Sequence, residues 1–220
     1  MAQKPITVIF CLPGATFSGR FLECWSNLLS WCFAHGIQPV ISRKQSNNIC
    51  FVRNMCLGGD VMRGAAQKPF NGELDYDYIC WIDSDTLVAP QQFQQLLSHD
   101  KDIISGLYLM EGDNAFATVQ HWDEEYFKKH GCFQFLTPQD INGKEGLLKV
   151  DYTGMGFMLV KKGVFESLEY PWFRPLEKRI GNMVDFTMED VGFCLQARER
   201  GWNVLVDTGV RVGHEKKILI

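Results

Sequence analysis

The sequence lacks the excess of basic residues that binding to nucleic acid requires. Lys and Arg number 22 against 26 Asp and Glu, which gives a formal net charge of −4. A surface with this balance offers no basic stripe along which a run of phosphates could be neutralised. We therefore expect no nucleic-acid partner.

Membrane, secretion and disulfide signals are also missing. No apolar run reaches the roughly 18 to 20 residues that span a bilayer, and the first residues do not form a secretory leader. The eight cysteines include no C-x-x-C pair and lie mostly in apolar stretches, which favours reduced thiols. These features predict a cytoplasmic protein without a membrane span. With 220 residues and no repeat or linker, we expect a single domain over residues 1–220.

Strand and helix patterns alternate along the first half of the chain, which predicts an α/β fold with a parallel sheet. The middle section, residues 112–149, is rich in Gly, Asp, Asn and aromatic residues without a clean period, so it favours antiparallel ribbons and loops over helices. The predicted strands are 6–12, 37–42, 78–82, 102–110, 152–160, 203–206 and 210–212, and the predicted helices are 17–34, 47–64, 90–99, 162–168 and 188–200.

Two carboxylates, Asp83 and Asp85, directly follow the predicted strand 78–82. Such a pair can hold Mg²⁺ or Mn²⁺ and leave coordination sites for a diphosphate, whose departure a divalent cation assists as a Lewis acid. Two solvated acids in a turn would give the same pattern. A haloacid-dehalogenase-type phosphatase would use Asp83 as its nucleophile, but it normally has Thr or Val where this chain has Leu87.

A second acidic pair, Glu189 and Asp190, opens the predicted helix 188–200 after Thr187. Thr187 with an acid three residues later is typical of a helix cap, and acids in a first turn complement the helix dipole. One of the two carboxylates could instead take a proton from an acceptor hydroxyl. His214, which follows a closing strand, is either an ordinary structural histidine or a third metal ligand.

Six short motifs in one order resemble those of GT-A glycosyltransferases. They are Leu12-Pro13-Gly14, Val52-Arg53-Asn54, Ile82-Asp83-Ser84-Asp85, Tyr152-Thr153-Gly154-Met155-Gly156, Met188-Glu189-Asp190 and Val212-Gly213-His214. Together they span nearly the whole chain. The sequence is most similar to the small GT-A domains of glycosylation proteins from large DNA viruses, including chlorella viruses, and is also similar to family 2 bacterial enzymes. A viral origin would make the host cytoplasm its compartment.

The resemblance implies a mixed, mostly parallel central sheet flanked by helices, with a small antiparallel ribbon. It also implies Mn²⁺ or Mg²⁺ as cofactor, with Asp85 as the principal ligand, Asp83 serving the ribose or a metal-bound water, and His214 completing the metal site. Asp190 and Glu189 would be the catalytic acids on the acceptor side. The residues of the nucleotide-sugar site would be Pro13, Gly14, Arg53, Asn54, Asp83, Ser84, Gly154, Met155 and Gly156.

The predicted function is metal-dependent transfer of a hexose from a nucleotide diphosphate sugar, commonly a UDP-sugar in this family, to a glycan hydroxyl. A domain that binds sugar nucleotides or glycans without turnover is the alternative from another class. Because only six residues follow His214, we expect the acceptor to be bound by aromatic side chains rather than by added C-terminal helices. The candidates are Tyr108, Phe116, Trp122, Tyr126, Trp172 and Phe173.

Overall fold

The computed structural model describes residues 4–110, 112 and 114–216. Its helices are α1 (Gly19–Ala34), α2 (Ile49–Cys56), α3 (Pro90–Ser98), α4 (Glu124–His130), α5 (Val164–Ser167) and α6 (Glu189–Glu199). Its strands are β1 (Ile6–Pro13), β2 (Ile37–Lys44), β3 (Tyr78–Ile82), β4 (Thr86–Leu87), β5 (Ile103–Leu107), β6 (Thr118–Val119), β7 (Leu147–Val150), β8 (Tyr152–Thr153), β9 (Phe157–Lys161), β10 (Glu177–Ile180), β11 (Met183–Phe186), β12 (Val204–Arg211) and β13 (Gly213–His214). No helix of this described part is both long and apolar enough to cross a membrane.

Seven strands form a central mixed sheet in the order β2-β1-β3-β9-β5-β12-β7. Strand β1 pairs in parallel with β2 and β3, and β5 pairs in parallel with β12. Strands β9 and β7 run against their neighbours, so five of the seven strands share one direction. The predicted mixed, mostly parallel sheet is confirmed.

Side chains from the two faces of the sheet enter two hydrophobic clusters, because successive residues of a strand point to opposite sides. In β1, Val8, Phe10 and Leu12 join the cluster that contains α1 and α3, whereas Ile9 and Cys11 join the one that contains α2, α5 and α6. Burial on both faces explains the largely apolar sequences of β1 and β3.

The second helix is shorter than the predicted 47–64 and turns a different face inward. It begins after Asn48, whose side chain caps the amides of Cys50 and Phe51, and it ends at Cys56. Gly58, at a φ of 72°, lets the chain leave the helix. The sequence pattern predicts Phe51, Met55 and Met62 on the inner face of this helix, which is wrong, because their exposed fractions are 59%, 39% and 88%.

Three other features of the structure differ from the predictions or are absent from them. The middle section contains a helix, α4, which is capped by Asp123 and ends at Gly131 in the left-handed conformation. Strands β10 and β11 form a hairpin around Gly181 that we did not predict. Thr187 does not cap α6, because its hydroxyl accepts the amide of Leu176 instead, at 2.9 Å.

Close backbone packing makes Gly192 of α6 sensitive to substitution. A Cβ at Gly192 would lie 2.4 Å from the carbonyl oxygen of Arg174, which belongs to the backbone and cannot move cheaply. Although alanine favours helices by about 1 kcal/mol over glycine, we expect Gly192→Ala to lower the free energy of unfolding by about 1–3 kcal/mol through overpacking. Urea denaturation measures this change.

Gly19, the first residue of α1, is the matched control, since a Cβ there would meet nothing within 4 Å. Gly19→Ala should be neutral or slightly stabilising. Equal unfolding midpoints for the two variants would contradict the proposed overpacking.

Candidate functional site

A buried arginine joins three segments of the chain at the carboxyl end of β3. Arg53, on α2, is 3% exposed. Its Nη1 and Nη2 atoms donate to the two carboxylate oxygens of Asp83, each at 2.9 Å, and its Nε donates to Oε1 of Glu189 at 2.9 Å. The guanidinium also lies over the ring of Trp81, 5.5 Å from its centroid. Arg53 therefore fixes the Asp83 loop and the start of α6 relative to α2.

Both polar residues of the Val52-Arg53-Asn54 motif lie inside the protein rather than at a ligand surface. Asn54 is 4% exposed, and its Nδ2 donates to the carbonyl oxygens of Cys50 and Phe173, at 2.8 and 2.7 Å. Its Oδ1 accepts the amide of Phe173 at 3.3 Å. Arg53 and Asn54 thus find inside the protein the partners that buried polar groups need, and their contact with a nucleotide stays a prediction.

A short antiparallel ribbon brings His214 to the Asp83-Ser84-Asp85 turn. Strand β4 directly follows Asp85 and pairs with β13, so that Thr86 lies opposite His214. The amide of Glu215 donates to the carbonyl oxygen of Asp85 at 2.7 Å. The side-chain atoms Oδ2 of Asp85 and Nε2 of His214 are then 3.3 Å apart, although 129 positions separate the two residues in sequence.

The hydrogen bond on the other side of the His214 ring favours metal binding at Nε2. Nδ1 lies 2.8 Å from the carbonyl oxygen of Leu109, which can only accept, so Nδ1 carries a proton. In the neutral ring, Nε2 then directs its lone pair at an Asp85 oxygen, an arrangement that a shared cation would stabilise. Histidine ligands of metals typically donate their second nitrogen to such a carbonyl.

The separation of the Asp85 and His214 donor atoms matches that of two adjacent ligands of one divalent ion. Adjacent ligands of an octahedral ion at about 2.1 Å lie about 3 Å apart, close to the 3.3 Å between Asp85 and His214. Asp83 uses both of its oxygens on Arg53. Accordingly, the described residues hold no group of three His, Cys, Asp or Glu side chains able to bind a metal unaided.

Negative charge accumulates at this end of the sheet. The carboxylates of Asp83, Asp85, Glu189 and Asp190 act on one another, while Arg53 supplies one positive charge. Burial raises the pKa of Asp83, against the effect of Arg53, and the charges of Asp85 and Glu189 raise it further. Such a cluster favours a bound cation.

The two acids at the start of α6 differ in their availability. Glu189 is 4% exposed and is held by Arg53. Asp190 is half-buried, and its Oδ1 accepts only the adjacent amide of Val191 in the described structure, at 2.7 Å. Burial and the neighbouring charge of Glu189 raise the pKa of Asp190 to about 6. Asp190 is therefore the acid with a carboxylate free to exchange a proton near neutral pH.

The loop after β1 packs directly on the carboxylate turn. A Cβ at Gly14 would lie 2.7 Å from Cβ of Ser84, and the amide of Gly14 donates to the carbonyl oxygen of Lys44 at 3.0 Å. Gly14 also has a φ of 154°, which favours glycine. Pro13, Gly14 and Ser84 thus lie together, as their shared prediction requires.

A tyrosine covers the two glycines of the Gly154-Met155-Gly156 motif. A Cβ at Gly154 would be 1.9 Å from the hydroxyl oxygen of Tyr108, and one at Gly156 would be 2.7 Å from its Cε1. The Tyr108 ring also meets the His214 ring edge-on, with centroids 5.2 Å apart. Met155 is fully buried. The sequence analysis names Tyr108 as a candidate acceptor contact. It does not predict that Tyr108 packs on these glycines, because no local pattern links the two segments.

The other aromatic candidates divide between core and surface. Phe116, Trp172 and Phe173 are at most 3% exposed and belong to the core, so they cannot contact an acceptor. Tyr126 stacks on His130 of the same helix, with centroids 4.2 Å apart. Trp122 lines an open cleft beside the start of α6.

Solved structures similar to this chain include a glycosyltransferase. The A197 protein of STIV matches with a TM-score of 0.56 and 18% identity, over 96% of this chain and 86% of that protein. A mutant of Drosophila β1,4-galactosyltransferase 7 in complex with manganese, UDP-Gal and xylobiose matches with a TM-score of 0.51 and 13% identity, over 96% and 71%. No protein-family model matches the sequence, and a search of curated proteins finds no significant match.

A glycosyltransferase involved in glycosylation of the major capsid of PBCV-1 matches over 74% of this chain and 63% of its own, with 12% identity. Its TM-score of 0.36 is too low to bear on function. The first two likenesses establish a GT-A-like nucleotide-sugar transferase fold for this chain, as predicted, and at such identities they establish the fold alone.

Removing the buried guanidinium should destabilise the fold as well as the site. Arg53→Met leaves the carboxylates of Asp83 and Glu189 without their partner, and uncompensated buried charge costs about 3–5 kcal/mol. We expect a loss of that size in the free energy of unfolding, measured by urea denaturation.

The surface pair between Arg179 and Glu177, 2.8 Å apart, provides the control. Arg179→Met should change stability by less than about 1 kcal/mol. A similarly small effect of Arg53→Met would refute the central role of the buried network.

Proposed function

We propose that this chain is a metal-dependent glycosyltransferase that moves a sugar from a nucleotide diphosphate sugar to a glycan hydroxyl. The observation that carries the proposal is the meeting of Asp85 and His214, 3.3 Å apart, with the second nitrogen of His214 held by the carbonyl oxygen of Leu109. The resemblance to GT-A enzymes supports a UDP-sugar as donor. The manganese and UDP-Gal in the Drosophila structure are consistent with this choice.

Asp85 and His214 would hold Mn²⁺ or Mg²⁺ together with oxygens of the donor diphosphate. An ion held by these residues would offset the negative charge that develops on the departing nucleoside diphosphate. Asp85 is suited to this task because its side chain is half exposed, whereas Asp83 is committed to Arg53. Asp83 and Glu189 then act through Arg53 as positioning residues, keeping both acidic pairs at one end of the sheet.

Asp190 is the proposed catalytic base. A raised pKa near 6 leaves its carboxylate ionised at neutral pH yet basic enough to accept the proton of an attacking hydroxyl. Glu189, although a candidate from sequence, is engaged by Arg53 and almost fully buried. An in-line base of this kind would give inversion at the anomeric carbon.

The geometry disfavours the phosphatase alternative. A nucleophilic aspartate needs a free oxygen, and both oxygens of Asp83 accept hydrogen bonds from Arg53 at 2.9 Å. A binding module without turnover remains the rival hypothesis. It would bind UDP and Mn²⁺ but release no UDP from a UDP-sugar, which a donor-hydrolysis assay detects.

Substitution of either proposed ligand should weaken metal binding. For Asp85→Asn and His214→Ala we expect the Kd of Mn²⁺ to rise at least roughly tenfold, because loss of a residue that merely supports a metal ligand already lowers metal affinity about tenfold or more. Calorimetric titration of Mn²⁺ in the presence of UDP measures this Kd. Nearly unchanged Kd values in both variants would disprove the site.

A second histidine paired with an aspartate gives the matched control. His99 Nε2 lies 2.7 Å from Oδ2 of Asp207, in the middle of β12, whereas His214 follows the end of that strand. His99→Ala should therefore leave Mn²⁺ binding unchanged.

Loss of the proposed base should affect turnover and not donor binding. We expect Asp190→Asn to lower kcat about 10²–10⁴-fold while the Kd for UDP with Mn²⁺ stays the same. In the parent enzyme, kcat/KM should rise with pH through about 6, because Asp190 must lose its proton to act. The variant should lose that rise.

Glu199→Gln, on an exposed residue at the other end of α6, serves as control and should keep both the rate and the pH profile. Normal transfer by Asp190→Asn would exclude Asp190 as the base.

A further inference from the structure

An open cleft of about 240 Å³ lies beside the first turn of α6. The β10–β11 hairpin forms one side of it, and the segment after α4 forms another. Six aromatic side chains contribute to its lining: Trp122, Phe127, Phe133, Phe135, Tyr152 and Phe186. Trp122 is a candidate acceptor contact from the sequence, but no role has been proposed so far for the cleft as a whole.

The inner wall of the cleft is a packed aromatic cluster, whereas its rim is exposed. Phe133 is 8% exposed and contacts Trp122 and Phe127, with ring centroids 4.0 and 4.8 Å apart. At the rim, Phe186 and Met188 are each 64% exposed. A rigid apolar wall behind an exposed apolar rim is suited to a ligand that removes the rim from water.

The side chains of the cleft offer few free hydrogen-bonding groups. The hydroxyl of Thr187 accepts the amide of Leu176, and Oδ1 of Asp185 accepts the amide of Phe186. The indole N–H of Trp122, Lys178 and the hydroxyl of Tyr152 are the other polar side-chain groups of the lining. Most of the remaining lining side chains are apolar, so the cleft favours an apolar group over a sugar ring, each of whose buried hydroxyls needs a partner.

The cleft and the proposed base share one turn of backbone. Met188 and Val191 line the cleft, and Asp190 lies between them in sequence. On the other side of the same turn, Glu189 contacts Arg53. Burial and, to a smaller extent, the charge of Asp190 raise the pKa of Tyr152, which lines the cleft, so Asp190 lies close to the cleft wall.

We propose that this cleft binds the apolar aglycone of the acceptor, so that the acceptor is a sugar carried on an alkyl or aryl group. The inference rests on the proposed transferase function, which it makes more specific. A dry cavity of about 150 Å³ is enough for benzene, and 240 Å³ therefore accommodates a substituted aryl group or a short alkyl chain.

Calorimetric titration of three glucosides into the full chain tests the proposal. The probes are octyl β-D-glucoside below its micelle concentration, p-nitrophenyl β-D-glucoside and methyl β-D-glucoside. We expect the octyl or the p-nitrophenyl probe to bind at least roughly tenfold more tightly than the methyl glucoside, as burial of one large apolar group predicts. The tighter of the two identifies an alkyl or an aryl aglycone.

A variant at the rim locates the binding. Phe186→Ser should raise the Kd of the preferred probe at least roughly fivefold, because Phe186 contributes to the lining. Phe33→Ser changes an aromatic residue that is 68% exposed on α1, outside the cleft, and should leave the Kd unchanged. Equal Kd values for all three glucosides, or no effect of Phe186→Ser, would overturn the inference.

Release of UDP from UDP-sugars with Mn²⁺ separates the two proposals. Turnover without any preference among the glucosides would refute the aglycone site and leave the transferase function intact. Tight binding of the octyl or p-nitrophenyl probe without turnover of any UDP-sugar would refute the transferase function, and with it the role of the cleft in binding an acceptor.

Discussion

The buried guanidinium of Arg53 is the interaction on which the geometry of the whole site depends. A charge taken out of water is tolerated only with close partners, and Arg53 finds them in Asp83, Glu189 and the face of Trp81. These partners come from two segments that are far from Arg53 and from each other in the sequence, one at Trp81 and Asp83 and the other at Glu189. Because each hydrogen bond is directional, the network fixes the turn after β3 and the first turn of α6 with respect to each other.

The same constraint explains the unusual orientation of α2. This helix buries Arg53 and Asn54 while leaving Phe51 and Met55 in contact with solvent. Hydrophobic burial alone would turn the face that carries Phe51 and Met55 toward the core. The hydrogen bonds of the two polar side chains offset that preference, so the orientation of the helix serves the site at the expense of apolar burial.

With Asp83 and Glu189 held by Arg53, two other groups of the acidic cluster stay accessible. Asp85 turns to His214 through the β4–β13 ribbon, and Asp190 stays half-buried beside the aromatic cleft. One acidic pair thus divides into a structural member and a proposed metal ligand, and the other into a structural member and a proposed base. This division gives the proposed donor and acceptor sides different chemistry within one cluster of charge.

Local patterns in the sequence predict the α/β class, six of the seven strands of the central sheet and the location of Asp83 and Asp85 after β3, because buried strands and their turns leave such patterns. Strand β7, the helix α4 and the β10–β11 hairpin were not predicted, although the Asp123 cap, Gly131 and Gly181 were local signals for the last two. The folded chain alone sets which acid of each pair is free, which face of α2 is buried, and that Tyr108 covers Gly154 and Gly156. Those outcomes depend on contacts between residues far apart in the chain, and no periodicity or short motif records them.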